Sequence, residues 1–151
     1  MQDTLPIHFA PLQGYTEAIY RNAHDAFFGG VDTYYTPFVR LEKGNFRRRD
    51  VRGIEPENNG VTHLIPQLIA SSAEKAEVIL SLFIEKGYQE VDINLGCPFP
   101  LLAKRHNGSG ILPYPEEVKA LLSIVTRYPQ ISFSVKMRLG WERQIQRGMR
   151  I

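Results

Sequence analysis

The segment Asp92-Ile93-Asn94-Leu95-Gly96-Cys97-Pro98 is the most informative stretch of the chain. It predicts a buried strand over residues 90–95, followed by a turn that the proline makes rigid. Cys97, the only cysteine among 151 residues, lies in this turn, three residues after Asn94. Since a thiol at the end of a strand is accessible to a ligand, we expect this turn to be part of a binding or catalytic site.

Short apolar runs alternate with helical segments on both sides of this stretch. Strands are predicted over residues 7–10, 33–36, 64–70, 90–95 and 131–137. Helices are predicted over residues 17–28, 71–86 and 115–128, and the polar segment 40–60 is predicted to be a long loop. Five strands with intervening helices predict an α/β fold with a parallel sheet built from βαβ units.

The polar residues that follow the predicted strands favour one type of α/β fold. No G-x-G-x-x-G sequence follows the first strand, which argues against a dinucleotide-binding fold. Polar or reactive residues lie instead near the ends of successive strands: Gln13, Gln67, Asn94, Cys97, Lys136 and Arg138. In a TIM (β/α)8-type barrel these ends form one face, which carries the active site. We therefore expect a barrel of that type.

Composition narrows the class of protein. An apolar content of 43% indicates a globular domain, and a net charge of +2 is too small to indicate nucleic-acid binding by itself. One cysteine excludes an internal disulfide, and no Cys/His spacing predicts a metal site. No apolar run reaches the ~18 residues of a membrane span, and no signal peptide is recognisable, so we expect a cytoplasmic protein that binds neither membrane nor metal.

Five motifs, in order along the chain, resemble those of the tRNA-dihydrouridine synthase family. They cover residues 10–16 (APLQGYT), 66–68 (PQL), 92–98 (DINLGCP), 107–110 (NGSG) and 135–141 (VKMRLGW). The resemblance extends from about residue 9 to residue 141 and departs from the family at Leu12, where methionine is usual. It implies an FMN-dependent TIM barrel that reduces specific uridines of tRNA to 5,6-dihydrouridine, with NADPH as the reductant.

The resemblance also implies a role for each motif. Cys97 is expected to be the general acid that protonates C5 of uracil after reduced FMN delivers hydride to C6. Residues expected to bind the flavin are Pro11, Leu12, Gln13, Gln67, Asn94 and Lys136. Of these, Asn94 and Lys136 are expected to lie between the flavin and the target uracil.

The chemistry of uracil reduction requires such a set of groups. No side chain supplies hydride, so a flavin or nicotinamide is needed. Thiols are mostly protonated at neutral pH, which suits an acid, and an ammonium group stabilises developing negative charge. A base stacked in tRNA must also be extruded into the pocket, so the enzyme needs to hold the RNA. Candidates for RNA contact are Lys104, Arg105 and Arg138.

The length of the chain gives a further expectation. A full TIM barrel needs about 250 residues, so residues 1–141 are expected to form about five βα units, with a divergent tail over 142–151. The later strands and the helical RNA-binding domain of the family are expected to be absent. Half of a barrel leaves strand edges unpaired, so we expect self-association and poor FMN binding by the isolated chain.

Two other functions remain open at this point. Another FMN-dependent barrel, acting on a small molecule such as dihydroorotate, would also use a flavin with Lys and Asn. It would not account for the G-C-P and K-x-R-x-G-W sequences together. The third possibility is an inactive fragment without catalytic activity.

Overall fold

The computed structural model describes residues 5–139. The expected tail over residues 142–151 and the last two residues of the fifth motif lie outside this part of the chain. The strands are β1 (His8–Phe9), β2 (Thr33–Tyr35), β3 (Leu41–Glu42), β4 (Asn45–Phe46), β5 (Leu64–Ile65), β6 (Gln67–Leu68), β7 (Glu90–Leu95) and β8 (Ser132–Met137). The α-helices are α1 (Ala18–Phe27), α2 (Arg48–Ile54), α3 (Ala73–Glu85), α4 (Pro100–Ala103) and α5 (Pro115–Arg127).

The strands other than β3 and β4 form a parallel arrangement that follows chain order. β1 pairs with β2 and β2 with β5, while β6 pairs with β7 and β7 with β8. The two groups are continuous, because Pro66 separates β5 from β6 without ending the extended chain. Asp92 N–H donates to Pro66 O at 3.0 Å, and Val39 N–H donates to Gln67 O at 2.8 Å. The α/β fold and the five predicted strands are confirmed, with the third strand interrupted at a proline that has no N–H.

The register of the strands gives this sheet one polar and one apolar face. Side chains alternate along a strand, and paired residues share a face. Gln67 pairs with Asp92, Asp92 with Ser134, and Asn94 with Lys136. These polar residues therefore share the face of the sheet opposite to the one against which the helices pack.

The hydrophobic core lies between the apolar face and helices α3 and α5. Val91, Ile93 and Leu95 of β7 are almost fully buried against residues of both helices. α3 begins where predicted, since the Ser72 hydroxyl accepts from the Lys75 N–H at 3.4 Å and caps its first turn. Within residues 5–139, no helix has the length and apolar character needed to cross a membrane.

The prediction of a long loop over residues 40–60 is wrong. The segment contains the antiparallel hairpin β3–β4, helix α2 and a short 3-10 helix, Pro56–Asn58. Arg21 of α1 holds it in place: its guanidinium donates to Gly53 O at 2.8 Å and to Asn59 Oδ1 at 2.5 Å. Burial lowers the pKa of Arg21 to about 10, because the charged form loses solvation. The segment is therefore part of the packed structure.

Candidate functional site

A chain of hydrogen bonds joins the carboxyl ends of β6, β7 and β8. The Ser134 hydroxyl donates to Asp92 Oδ1 at 2.7 Å. Gln67 Nε2 donates to Asp92 Oδ2 at 2.5 Å, and Gln67 Oε1 accepts from Asn94 Nδ2 at 2.8 Å. Each link crosses from one strand to its neighbour, so the register of the sheet fixes the orientation of both amides.

Asn94 connects this chain of hydrogen bonds to the Cys97 turn. Its Oδ1 atom accepts from the Gly96 N–H at 3.1 Å and from the Cys97 N–H at 2.9 Å. Two backbone donors of the turn are thereby satisfied by one buried side chain, which is 4% exposed. Cys97 itself is half-buried and forms no disulfide. Its backbone is held rigidly while its side chain remains partly accessible.

The Cys97 turn is held from the opposite side by the segment 108–111, a short 3-10 helix. Ser109 donates to Cys97 O twice, from its N–H and from its hydroxyl, both at 3.0 Å. Gly108 has a φ of +59°, and a Cβ placed there would lie 2.6 Å from Cys97 O and 2.9 Å from Cys97 Cβ. Only glycine allows this close approach, which explains the first glycine of the NGSG motif.

Asp92 is the charged group at the centre of the hydrogen-bond chain. Burial raises the pKa of its carboxyl above the ordinary value, and the bonds from Gln67 and Ser134 oppose that rise. The charge of Lys136 also lowers the pKa of Asp92, by a smaller amount. Lys136 is exposed and lies beside Asn94 in the register of β7 and β8. The structure places Gln67, Asn94 and Lys136 on the polar face of the sheet, and it places Cys97 in the turn that Asn94 holds.

The comparisons with known proteins identify the family. The chain matches the sequence model of the family described as Dihydrouridine synthase (Dus) over residues 8–150. The chain belongs to the dihydrouridine synthase family.

Curated relatives agree with this assignment. The chain is 29% identical over 139 residues to the probable tRNA-dihydrouridine synthase 1 of Synechocystis sp., a match that covers 88% of this chain and 37% of that protein. It is 33% identical over 76 residues to tRNA-dihydrouridine synthase B of Klebsiella pneumoniae, covering 50% of this chain and 24% of that protein. The chain therefore spans less than half the length of these relatives.

Flavin-dependent chemistry is expected of a dihydrouridine synthase, and the donor and acceptor groups of this chain fit a flavin. Gln67 Nε2 and Asn94 Nδ2 each use one N–H in the bonds above and retain a second. Gln13 Oε1 is buried and has no hydrogen-bond partner among the described residues. An isoalloxazine edge, which both donates and accepts, matches such a mixed set.

The first predicted flavin-binding segment, Pro11 to Gln13, lies in a tight turn after β1. Leu12 N–H donates to Thr16 Oγ1 at 2.8 Å, while Tyr15 N–H donates to Leu12 O at 3.0 Å. Leu12 is 57% exposed, whereas Pro11 and Gln13 are half-buried. The turn is at the same end of the sheet as the Cys97 turn, but no described hydrogen bond joins the two.

The three predicted RNA-contact residues come from two separate segments of the chain. Arg138 is exposed just after β8, near Lys136 in the chain. Lys104 and Arg105 follow α4 and are also exposed. Lys104 lines a cavity of about 440 Å³ that lies between α4 and the beginning of α5. Residues 5–139 contain no group of three or more His, Cys, Asp or Glu side chains that could hold a metal ion.

Some residues that support this site are not predicted from the sequence. Asp92 and Ser134 orient the amides without having been predicted as site residues. Tyr35 was also missed: burial raises the pKa of its phenol, and the nearby charge of Asp92 raises it further. Their spacing in the sequence could have identified two of them. Asp92 and Ser134 each precede a predicted site residue by two positions, which places both residues of each pair on the same face of a strand.

Proposed function

We propose that this chain forms part of the catalytic site of an FMN-dependent enzyme that reduces uridines of tRNA to 5,6-dihydrouridine, with NADPH as the reductant. The observation that carries the proposal is the Cys97 turn, which Asn94 and Ser109 hold from two sides. A single half-buried thiol fixed beside two oriented amides and a lysine is the arrangement that protonation of a reduced uracil requires.

Each residue has a distinct task in this proposal. Cys97 Sγ holds the proton that is delivered to C5 of the uracil. Bound FMN would supply the hydride that reduces C6. Lys136 stabilises negative charge that develops on the uracil carbonyls, because its ammonium group lies on the same strand face as Asn94.

The flavin would be held by two parts of the chain. The Pro11–Gln13 turn would line it after β1, where Gln13 Oε1 has no hydrogen-bond partner among the described residues and would serve as an acceptor. Gln67 and Asn94 are almost fully buried, so they would contribute only their one remaining N–H each. Their other bonds keep these donors in a fixed direction, which lowers the entropic cost of binding.

The strand order supports a barrel. The parallel strands follow one another in chain order, with α1, α3 and α5 as crossover helices, which is the connectivity of a TIM (β/α)8 barrel. We propose that residues 1–141 supply about five βα units of such a barrel. The exposed cations Lys104, Arg105 and Arg138 would contact the tRNA near the site.

The proposed function is tested in cells that lack the gene for this chain. Dihydrouridine in their total tRNA is measured by mass spectrometry, before and after the gene is returned as wild type or as Cys97→Ala. We expect the wild-type gene to restore the missing dihydrouridine. With the variant, dihydrouridine should form at least ~100-fold more slowly than with the wild type. Unchanged dihydrouridine in the deletion strain, or full restoration by Cys97→Ala, would contradict the proposal.

Cofactor binding is tested separately with the purified chain. Titration with FMN, followed by quenching of flavin fluorescence, is compared for wild type and Gln67→Ala. We expect weak FMN binding by the wild-type chain and still weaker binding by the variant, since the variant loses both a donor for the flavin and the orientation of Asn94. Equal affinity for the two proteins would refute the assigned role of Gln67.

A further inference from the structure

The cavity between α4 and α5 has the size and lining of a ligand site. Its volume of about 440 Å³ falls within the ~300–1,000 Å³ typical of small-molecule sites. Pro98, Pro100 and Pro113 form rigid walls without N–H donors. Pro98 directly follows Cys97, so the cavity adjoins the proposed catalytic turn without including the thiol among its lining residues.

Two aromatic side chains in the cavity form a stacked platform. The rings of His106 and Tyr114 have centroids 4.1 Å apart and are inclined by 11°. Tyr114 remains 43% exposed, so part of its ring is open to a ligand. His106 has a φ of +54°, which is uncommon for a residue with a side chain, and the contact of its Nδ1 with Glu117 Oε2 holds its imidazole. Platforms of this kind bind flat heterocycles.

The polar groups of the cavity are one hydrogen-bond acceptor and one cation. His106 Nδ1 lies 2.7 Å from Glu117 Oε2, so Nδ1 carries the hydrogen of this bond. Among the described residues, Nε2 of His106 has no partner, and with the hydrogen on Nδ1 it can accept a hydrogen bond from a base N–H. Lys104 is exposed at the cavity and takes part in none of the described ion pairs.

We propose that this cavity binds one nucleotide, with its base against the His106–Tyr114 platform and its phosphate at Lys104. The shared chemistry is a flat heterocycle joined to a phosphate, and it has two sources here. One is a nucleotide of an RNA substrate next to the target base, and the other is a nicotinamide dinucleotide reductant. The choice of these two sources rests on the proposed function. The nucleotide site itself is additional to the flavin and uracil positions.

Equilibrium binding to the purified chain tests the proposal. The probes are NADPH, a single-stranded oligouridylate of five nucleotides, and inorganic phosphate, each followed by calorimetry. We expect Lys104→Gln to weaken whichever nucleotide probe binds by about tenfold and to reduce the salt slope of RNA binding by about one. The matched control is Lys119→Gln, which removes an equal charge from an exposed lysine outside the cavity and should leave affinity unchanged.

A second variant separates the base from the phosphate. His106→Asn keeps a residue that tolerates positive φ but removes the stacked ring. It should weaken NADPH or oligouridylate by about tenfold and leave the affinity for inorganic phosphate unchanged. The two variants also identify the source, because only the probe that binds in the cavity loses affinity in both of them.

Other outcomes overturn the proposal. The first is that neither nucleotide probe binds at millimolar concentration. The second is that Lys104→Gln and Lys119→Gln lose equal affinity for the nucleotide probe. The third is that His106→Asn binds the nucleotide probe as tightly as the wild type. Because no readout depends on turnover, the two claims fail independently. Nucleotide binding that meets these criteria, combined with unchanged tRNA dihydrouridine in the deletion strain, would refute the proposed function and keep this site.

Discussion

Substitution of Gly108 by alanine tests the close packing that holds the catalytic turn. The added Cβ would lie 2.6 Å from Cys97 O and 2.9 Å from Cys97 Cβ, which is closer than real Cβ contacts allow. A shift of backbone is therefore needed, since neither contact is the end of a flexible side chain. Gly29 is a matched control because it has the same φ of +59°, and a Cβ there would meet only Asp25 O at 3.7 Å.

The two variants differ in one energetic contribution. The left-handed conformation costs alanine about 1–2 kcal/mol at either position. Only Gly108→Ala also suffers overpacking, which costs about 1–3 kcal/mol. We therefore expect a loss of about 1–2 kcal/mol in the free energy of unfolding for Gly29→Ala and about 2–5 kcal/mol for Gly108→Ala.

Urea unfolding of the purified chain, followed by circular dichroism, measures both losses. A second measurement reports on the turn itself, namely the rate at which Cys97 reacts with a disulfide reagent under native conditions. Displacement of the turn should raise this rate for Gly108→Ala and leave it unchanged for Gly29→Ala. Equal losses of stability together with equal thiol rates would show that the contact between Gly108 and Cys97 does not restrict the turn.

Three further predictions follow from buried polar groups. Asn94→Ala leaves two backbone N–H groups of the turn without an acceptor, so it should cost about 2–4 kcal/mol and speed hydrogen exchange of the Cys97 amide, measured by NMR; unchanged exchange would contradict the clamp. Burial raises the pKa of Asp92, so the protonated carboxyl favours the folded state. This contribution to the free energy of unfolding is complete below about pH 4 and is lost as pH rises through the pKa of the folded state. Asp92→Asn should abolish that part of the pH dependence in urea titrations, and identical pH profiles for the two proteins would refute the assignment. Arg21→Lys keeps the charge but loses the planar fork that reaches Gly53 O and Asn59 Oδ1, so thermal unfolding should show a loss of about 2–4 kcal/mol; a loss below about 0.5 kcal/mol would contradict its anchoring role.

Local sequence patterns predicted the strands and the long helices because those elements carry their own signals. The sequence around Cys97 predicts the strand and the turn that the structure has, and Pro115 marks the beginning of α5. The interruption at Pro66 follows from its missing N–H, although the prediction treated residues 64–70 as one strand. Elements whose order comes from local residues were therefore predictable.

The segment 40–60 was mispredicted because its order comes from a distant residue. Its polar composition resembles that of a loop, and the buried guanidinium that fixes it belongs to α1, 32 residues before Gly53.

The site shows the same division between local and long-range information. The motifs predict Cys97 and Asn94 as site residues, but they do not show that Oδ1 of Asn94 accepts hydrogen bonds from the backbone of the turn. Nor did it identify Asp92, whose role depends on partners 25 and 42 residues away along the chain. These contacts exist only once the strands are paired, so they require the register of the sheet.

The register of β8 therefore controls the chemistry of the site as well as the fold. A slip of one residue would exchange the two faces of the strand, so that Ser134 and Lys136 would face the helices and Phe133 and Val135 would face Asp92. Asp92 would lose its hydroxyl donor and the nearby positive charge that together offset its burial. The slipped pairing is therefore disfavoured by both the apolar core and the polar site. The observed pairing places Lys136 beside Asn94.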